Sequence, residues 1–221
     1  MSDPYQIVRD FEAALCDYTG APYCVTTTSC TMALLLAVRW HLCFRRPLVE
    51  GSNLRCSIDI EIPKRTYVGV PMSIIHAGGR PTFSDDSWSG IYQLKPLPVW
   101  DSARLLTGGM YLTPLRGSMV CLSFHHTKHL GLAGHGGAIL HDDAEADYWL
   151  RRARFDGRQE GIEPRHQTQA AWIIGWHCYM TPAVAAEGLM RLAVLPRNND
   201  PLPPSDYPDL STLDIFKGGT S

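Results

Sequence analysis

The pattern of apolar and polar positions predicts helices that alternate with short strands. Apolar residues recur at helical spacing over residues 5–18, and Gly20 follows the last of them, as at the end of a helix. Further helices are predicted over residues 31–40, 66–77 (with a start or kink at Pro71), 143–154 and 182–195. Strands are predicted at residues 23–25, 58–62, 97–100, 119–124 and 136–140, with another beginning at Thr82. This alternation indicates an α/β fold with a mainly parallel sheet flanked by helices.

Composition narrows the class of protein. With 221 residues, 45% of them hydrophobic, the chain is expected to fold rather than to stay disordered. A formal net charge of −2 gives no reason to expect a nucleic-acid coat or a membrane-surface protein. The seven cysteines are odd in number and form no CxxC, which favours reduced thiols and a cytoplasmic location. No secretory signal is visible, and the longest apolar run is too short to span a bilayer.

A hydroxyl-rich turn at residues 26–29 leads into the apolar helix at residues 31–40. The free N–H groups and the positive dipole end of such a helix attract anions, and Ser29 and Thr31 would add hydroxyl donors. The same residues fit an ordinary N-cap, in which Ser29 only satisfies its own helix. Both interpretations stay open for this turn taken alone.

Two more chemically capable side chains follow predicted buried strands. Asp101 comes directly after the strand at residues 97–100, where a carboxylate could hold a cationic ring nitrogen. A cap or an ion pair with Arg104 is the alternative. Lys128 follows the strand at residues 119–124, close to Ser123, and a lysine there can form an imine with a carbonyl group. A solvated loop lysine is the alternative.

Histidines surround Lys128 in the sequence. A zinc site is conceivable, and its candidate ligands are His125, His126, His129 and His135. Zinc prefers separated pairs of ligands on an ordered scaffold, and neither a cysteine pair nor a carboxylate lies nearby. The sequence therefore predicts no metal site.

Taken together in chain order, the candidate residues predict a more specific kind of site than any of them does alone. Tyr67, just past the strand that ends at Pro63, could stack on a planar ligand, although tyrosine also packs routinely. A phosphate turn, a stacking aromatic, a strand-end aspartate, and a strand-end serine and lysine together describe a site for pyridoxal 5'-phosphate (PLP). The lysine would hold the cofactor, the aspartate would keep its pyridine nitrogen protonated, and the helix N-terminus would take its phosphate.

Several segments resemble the DegT/DnrJ/EryC1/StrS aminotransferases, which are fold-type I PLP enzymes. Residues 123–128, Ser-Phe-His-His-Thr-Lys, match the family's Ser-Phe-His-x-Thr-Lys element, the most specific part of the resemblance. Residues 100–103, Trp-Asp-Ser-Ala, are similar to its Glu-Asp-Ala-Ala element, and residues 134–137, Gly-His-Gly-Gly, to its Gly-Glu-Gly-Gly. Residues 29–34 resemble its phosphate-loop helix, with Cys30 at the usual glycine.

The resemblance implies nine cofactor-binding residues: Ser29, Cys30, Thr31, Tyr67, Asp101, Arg104, Ser123, Lys128 and His177. Lys128 would be the catalytic Schiff-base residue and Asp101 the pyridinium partner. Arg104 stands where a Gln or His is usual. His177 and Tyr179 replace the Asn and Arg that the family places near the phosphate of the neighbouring subunit. A homodimer with shared sites is implied.

The resemblance also implies the domain organisation. Residues 1–195 would form the PLP-binding large domain, shortened between residues 84 and 99, with the family's small domain largely missing. Residues 196–221 would be a Pro- and Asp-rich tail, for which poor order is expected.

Three functions remain open at this point. The resemblance implies an aminotransferase that acts through an external aldimine on a primary-amine substrate. The alternative is a PLP-dependent decarboxylase of an amino-acid adduct, for example of a modified nucleobase in viral DNA. Nucleic acid would then be a substrate only, and the location the host cytoplasm. The third is a degenerate PLP fold that serves as a binding partner, against which Lys128 and Asp101 argue.

Overall fold

The computed structural model describes residues 3–44, 58–112, 114–203 and 205–217. Its helices are α1 (Gln6–Thr19), α2 (Cys30–Phe44), α3 (Gly69–Ala77), α4 (Ala144–Ala153) and α5 (Pro182–Val194). Its strands are β1 (Tyr23–Thr27), β2 (Asp59–Pro63), β3 (Arg80–Ser84), β4 (Tyr92–Gln93), β5 (Val99–Ser102), β6 (Met119–Ser123) and β7 (Gly137–His141). The expected α/β alternation is confirmed. The helix expected from residue 66 begins at Gly69, so that Pro71 lies in its first turn, where the missing N–H is tolerated.

The main sheet has the order β1-β7-β6-β5-β4 and is mixed. In it β5 and β6 are parallel, whereas the β1–β7, β6–β7 and β4–β5 pairs are antiparallel. The expectation of a mainly parallel sheet is therefore wrong. Parallel neighbours need a long crossover, usually a helix. Here a loop over residues 124–136 joins β6 to β7, and a short turn at Lys95-Pro96 precedes β5.

The strands β2 and β3 form a separate parallel pair beside the main sheet. One backbone bridge joins this pair to the chain that follows β4. The Glu61 N–H donates to the Lys95 carbonyl at 2.8 Å, and the Lys95 N–H donates back to the Glu61 carbonyl at 3.1 Å. This isolated bridge links the outer pair to the main sheet next to β4.

Helices cover both faces of the main sheet, and β6 shows how the sequence divides its side chains. Met119 and Cys121 belong to the core with α2, α3 and α4, whereas Val120 and Leu122 belong to the core with α1 and α5. Alternate residues of a strand point to opposite faces, which produces this division. The α2 helix is apolar on almost every side because other elements surround it.

A buried ionic cluster links α1, β1 and α4. Glu12 accepts hydrogen bonds from the Thr26 N–H (2.9 Å), from the Thr26 hydroxyl (2.8 Å) and from Arg151 (2.7 Å). Arg154 also pairs with Glu12, and both side chains are buried. Burial alone would raise the pKa of Glu12, but Arg154 and Arg151 outweigh it and the pKa is lowered. The helix predicted over residues 143–154 therefore ends at a buried arginine, Arg154.

The chain after residue 195 packs against this domain. The Leu202 N–H donates to the Arg104 carbonyl and the Leu210 N–H to the Lys64 carbonyl, both at 2.9 Å, and Leu210 is fully buried. Ion pairing of Lys64 with Asp209 at 3.3 Å adds a further link. The division of the chain at residue 195 stays a prediction.

The described cysteines are free thiols, and Cys56 lies outside the described residues. None of the helices in the described ranges combines the length and apolarity that a membrane crossing requires.

Candidate active site

A cavity of about 560 Å³ lies where β1 and β6 end and α2 begins. Seven of the nine side chains predicted to bind a cofactor line it: Ser29, Cys30, Thr31, Tyr67, Asp101, Ser123 and Lys128. These residues are up to 99 positions apart in the chain, from Ser29 to Lys128. Arg104 and His177 do not line the cavity.

Strand register explains why Ser29 and Ser123 line the same cavity. Gly137, the first residue of β7, pairs with Thr27 on β1 and with Ser123 on β6. The turn that follows β1 and the end of β6 therefore lie on either side of one glycine. A Cβ atom added at Gly137 would stand 2.5 Å from the backbone nitrogen of Cys30, closer than real Cβ atoms come. Only glycine lets β7 pass this close beneath the start of α2.

At the start of α2, Ser29 makes the capping contact that one of the two interpretations of the hydroxyl-rich turn expects, and anion binding there stays a prediction. The Ser29 hydroxyl accepts from the Met32 N–H at 3.2 Å, which is a capping contact. The Cys30 side chain is buried, and its thiol donates to the Cys121 carbonyl at 3.7 Å. Burial raises the pKa of this thiol well above its ordinary value. Cys30 can therefore serve an anion through its backbone N–H but not through its side chain.

Asp101 is a buried carboxylate with two hydrogen-bond donors. The sequence had indicated a position directly after the strand, but Asp101 lies inside β5. Oδ1 accepts from the Ala103 N–H at 2.8 Å, and Oδ2 accepts from the Tyr92 hydroxyl at 2.9 Å. Burial raises the pKa of Asp101, and the two donors and Lys128 offset part of that rise. A cation placed next to this carboxylate would find a preformed partner.

Lys128 and Tyr67 stand on opposite elements of the cavity wall. Lys128 follows β6 in a turn that the hydrogen bond from its N–H to the His125 carbonyl closes at 2.8 Å. Its Nζ atom donates no hydrogen bond within the described part of the chain. Tyr67 is 56% exposed at the rim. A Cβ added at Gly69 would lie 2.6 Å from Cε1 of Tyr67, so the start of α3 lies directly against this ring.

Arg104 and His177 are placed elsewhere. Arg104 is buried, and its Nη1 donates to the Ser205 hydroxyl of the C-terminal segment. His177 is exposed, and its Nδ1 lies 2.9 Å from a carboxylate oxygen of Asp156. Arg104 thus holds Ser205, a residue of the cavity lining, whereas His177 contacts Asp156 and does not line the cavity of its own chain.

Three of the four loop histidines come together at the edge of the cavity. The His125 ring stacks on His135, with centroids 4.9 Å apart and planes at 10°, and its centroid is 4.0 Å from that of His126. The fourth, His129, instead contacts the Asp200 carbonyl through Nε2 at 3.0 Å. Burial, followed by the neighbouring His126, His135 and Lys128, lowers the pKa of His125.

Sequence reasoning missed four residues at or beside the cavity: Thr66, Tyr92, Ser205 and Tyr207. Tyr92 is the donor to Asp101, and its hydroxyl lies 2.7 Å from that of Thr66. A signal for Tyr92 was present, because a proline turn between two apolar runs, residues 91–94 and 97–100, is typical of a hairpin. Ser205 and Tyr207 line the cavity from the C-terminal segment, where the composition carried no such signal.

The fold is that of the PLP-dependent aminotransferases. A PLP-dependent aminotransferase from Bacillus cereus ATCC 10987 superposes with a TM-score of 0.64 at 20% identity, over 86% of this chain and 59% of the other. NtdA from Bacillus subtilis, solved with its cofactor PMP, gives 0.65 at 17% identity, over 86% and 48%. The sugar aminotransferase CalS13 from Micromonospora echinospora gives 0.63 at 18% identity, over 86% and 61%.

The model of the DegT/DnrJ/EryC1/StrS aminotransferase family matches residues 1–91 and 114–201. The chain belongs to that family, as its motifs indicated. It spans about 59% of the length of the Bacillus cereus protein. The unmatched residues 92–113 include Asp101, whose proposed role therefore rests on its place in the cavity and on the motif at residues 100–103.

Proposed function

We propose that this chain binds PLP in the cavity and acts as an aminotransferase on a primary amine. The observation that carries the proposal is the placement of Lys128 and Asp101 in one cavity with the N-terminus of α2. The donor set fits the cofactor. An amine, a buried carboxylate and a cradle of backbone N–H groups, kept open by Gly137, match its aldehyde, its ring nitrogen and its phosphate.

Each residue has a separate task in this proposal. The N–H groups of Cys30 and Thr31 and the Ser123 hydroxyl bind the phosphate, and the Tyr67 ring covers the face of the cofactor. Asp101 holds the ring nitrogen protonated, since its two donors keep the carboxylate oriented. When bound, the cofactor supplies an electron sink for carbon–hydrogen bond cleavage. Lys128 Nζ then moves the proton of the substrate carbon that bears the nitrogen.

Reconstitution with PLP tests the cofactor assignment. The wild-type chain is expected to gain an absorbance band near the visible edge that Lys128→Ala lacks. Borohydride reduction followed by peptide mass spectrometry is expected to place the cofactor on Lys128. Lys217→Ala, on an exposed lysine far along the chain, is the control and should keep the band. Labelling at another lysine would contradict the proposal.

Decarboxylation is the second candidate, because the rim at Tyr67 and His135 is exposed and leaves room for a bulky amino-acid adduct, such as one on a nucleobase. The two reactions give different products. Incubation of the loaded protein with candidate amines, with and without a keto acceptor, separates them. Transfer consumes the acceptor and gives a keto product from the donor. Carbon dioxide release that needs no acceptor identifies the decarboxylase.

The proposal includes a homodimer in the cytoplasm, with His177 completing the site of the second copy. The exposed position of His177 and its contact with Asp156 support this role. Mixing inactive Lys128→Ala with His177→Ala would restore one intact site per mixed dimer. Light scattering gives the mass independently, and a monomer at working concentration would overturn this part.

A further inference from the structure

Three imidazoles at the edge of the cavity form a cluster that the proposed reaction does not use. One potential ligand nitrogen from each of His125, His126 and His135 lies within 4.8 Å of the others. His125 is half-buried, and the other two are exposed. Within the described residues, no other group of at least three His, Cys, Asp or Glu side chains comes this close together.

We propose that His125, His126 and His135 bind one divalent transition-metal ion of the zinc, cobalt or nickel class. Imidazole nitrogen suits these ions, and three protein ligands with water in the remaining position is a known arrangement for zinc. This inference goes beyond the proposed function and does not depend on it.

An unusual backbone conformation at residues 135–136 helps to bring the three histidines together. His135 has φ of 59°, a left-handed conformation that is uncommon for a residue with a side chain, and Gly136 follows with φ of 146°. These two residues turn the chain so that the His135 ring stacks on His125. A strained residue held in place beside a cavity is a common mark of a functional position.

A second contact orients His125. Its Nδ1 lies 2.9 Å from the Thr127 hydroxyl, which leaves Nε2 as the nitrogen available to a metal. Metal-binding histidines usually donate their other ring N–H to a neighbouring oxygen, and the His125 tautomer with its proton on Nδ1 would donate it to the Thr127 hydroxyl. A tetrahedral ion with bonds of about 2.0–2.1 Å needs its nitrogens roughly 3.4 Å apart. The rings of His126 and His135 are exposed to solvent, so rotation of their side chains can bring the nitrogens to this separation.

The sequence had suggested four histidines, and the structure separates one of them. His129 is adjacent to Lys128 but contacts the Asp200 carbonyl. It therefore provides a matched control: the same residue type, in the same loop, outside the cluster. His126 is the best residue to change, because it does not line the cavity in which the cofactor is proposed to sit.

Cobalt(II) titration of the full chain, freed of metal by a chelator and without added PLP, tests the site. Wild-type protein is expected to bind one cobalt per chain, with visible d–d absorption and an independent calorimetric signal that zinc displaces. His126→Ala should weaken binding about 10–100-fold, and the triple alanine variant should abolish it, whereas His129→Ala should stay within about threefold of wild type. Circular dichroism checks that each variant is folded.

Two results would overturn the metal site. Equal cobalt affinity in wild-type and triple-variant protein would mean binding elsewhere. Titration with inorganic phosphate tests the alternative that the three histidines bind an anion. Phosphate binding that the triple variant loses, in protein that gives no cobalt absorption, would assign the histidines to anion recognition instead. Because neither assay uses PLP, failure of the metal site and failure of the proposed function are distinguishable.

Discussion

The hydroxyl group of Tyr92 donates a hydrogen bond to Oδ2 of Asp101 across 2.9 Å, in the interior of the protein. The Thr66 hydroxyl lies 2.7 Å from the same phenol oxygen and completes a buried chain of polar groups. Burial and the neighbouring carboxylate raise the pKa of Tyr92 well above its ordinary value, so it remains a donor. Tyr92, which lies outside the recognised motifs, therefore helps to keep Asp101 ionised and oriented.

Tyr92→Phe is expected to lower the affinity for PLP about tenfold or more, because a hydrogen bond to a charged group contributes roughly 1.5–3 kcal/mol. Loss of the donor also raises the pKa of Asp101 further. The carboxyl is protonated below its pKa, so the pH at which cofactor binding fails on acidification should move upward. Fluorescence titration with PLP across a pH series measures both effects.

Tyr111→Phe is the matched control for that change. The Tyr111 hydroxyl donates to the Ser118 carbonyl at 2.7 Å, in the core away from the cavity. Its loss should reduce the free energy of unfolding by about 1 kcal/mol without changing PLP affinity. Equal effects of the two variants on PLP affinity would contradict a specific role for Tyr92.

Gly137→Ala is expected to weaken phosphate binding and to reduce the free energy of unfolding by about 1–3 kcal/mol, because the added methyl group overlaps the backbone of Ser29 and Cys30. Urea unfolding and titration with inorganic phosphate measure the two effects. At Gly117, by contrast, an added Cβ meets nothing within 4 Å, and Gly117→Ala carries only the backbone strain of a φ of 81°. Phosphate affinity unchanged in Gly137→Ala would show that the turn does not bind the anion.

Acid should destabilise the protein partly through Glu12. The pKa of Glu12 is lowered in the folded state, so its contribution is present above its unfolded pKa of about 4.3 and is lost as the pH falls through the folded value. Glu12→Gln should reduce the free energy of unfolding by about 3–5 kcal/mol near neutral pH and flatten its decline below about pH 5. Urea unfolding at several pH values tests this.

Glu163→Gln is the control for that series, because Glu163 pairs with Arg165 on the surface. Its effect should remain within about 1 kcal/mol at every pH. If Glu12→Gln is too unstable to purify, Arg151→Met removes one partner of the same carboxylate. A pH dependence identical to wild type in these core variants would refute the assignment.

Arg104 provides a prediction about the C-terminal segment. Its side chain reaches Ser205, and its carbonyl accepts from the Leu202 N–H. Arg104→Lys and Ser205→Ala are both expected to speed amide hydrogen exchange at Leu202 several-fold, since each removes the same side-chain contact. Thr212→Val, farther along the segment, is the control. Slowed or unchanged amide exchange at Leu202 in both variants would argue against a role of the Arg104–Ser205 contact in holding the C-terminal segment.

Residues of the candidate site could be predicted from the sequence where a chemically reactive side chain lies at or just after the end of a strand. Lys128 and Ser123 flank the end of an apolar run, and strand ends meet at the edge of a sheet. Tyr92 was missed because its two-residue strand has almost no periodic pattern, and the only signal was the proline turn between residues 91–94 and 97–100. The mixed sheet was missed because an apolar strand reads the same in parallel and antiparallel pairs, and long-range pairing such as β1 with β7 leaves no local mark.

Gly137, at the start of β7, also restricts the register in which β7 can pair with its neighbours. Register in a sheet has a period of two, and a slip of one residue moves every side chain to the opposite face. A slip in one direction would put Ala138, with its methyl group, at the position where Gly137 approaches the start of α2, whereas a slip in the other direction would put Gly136 there. The close approach of β7 to the start of α2 therefore disfavours one of the two slipped alignments and supports the register that joins β1, β6 and β7.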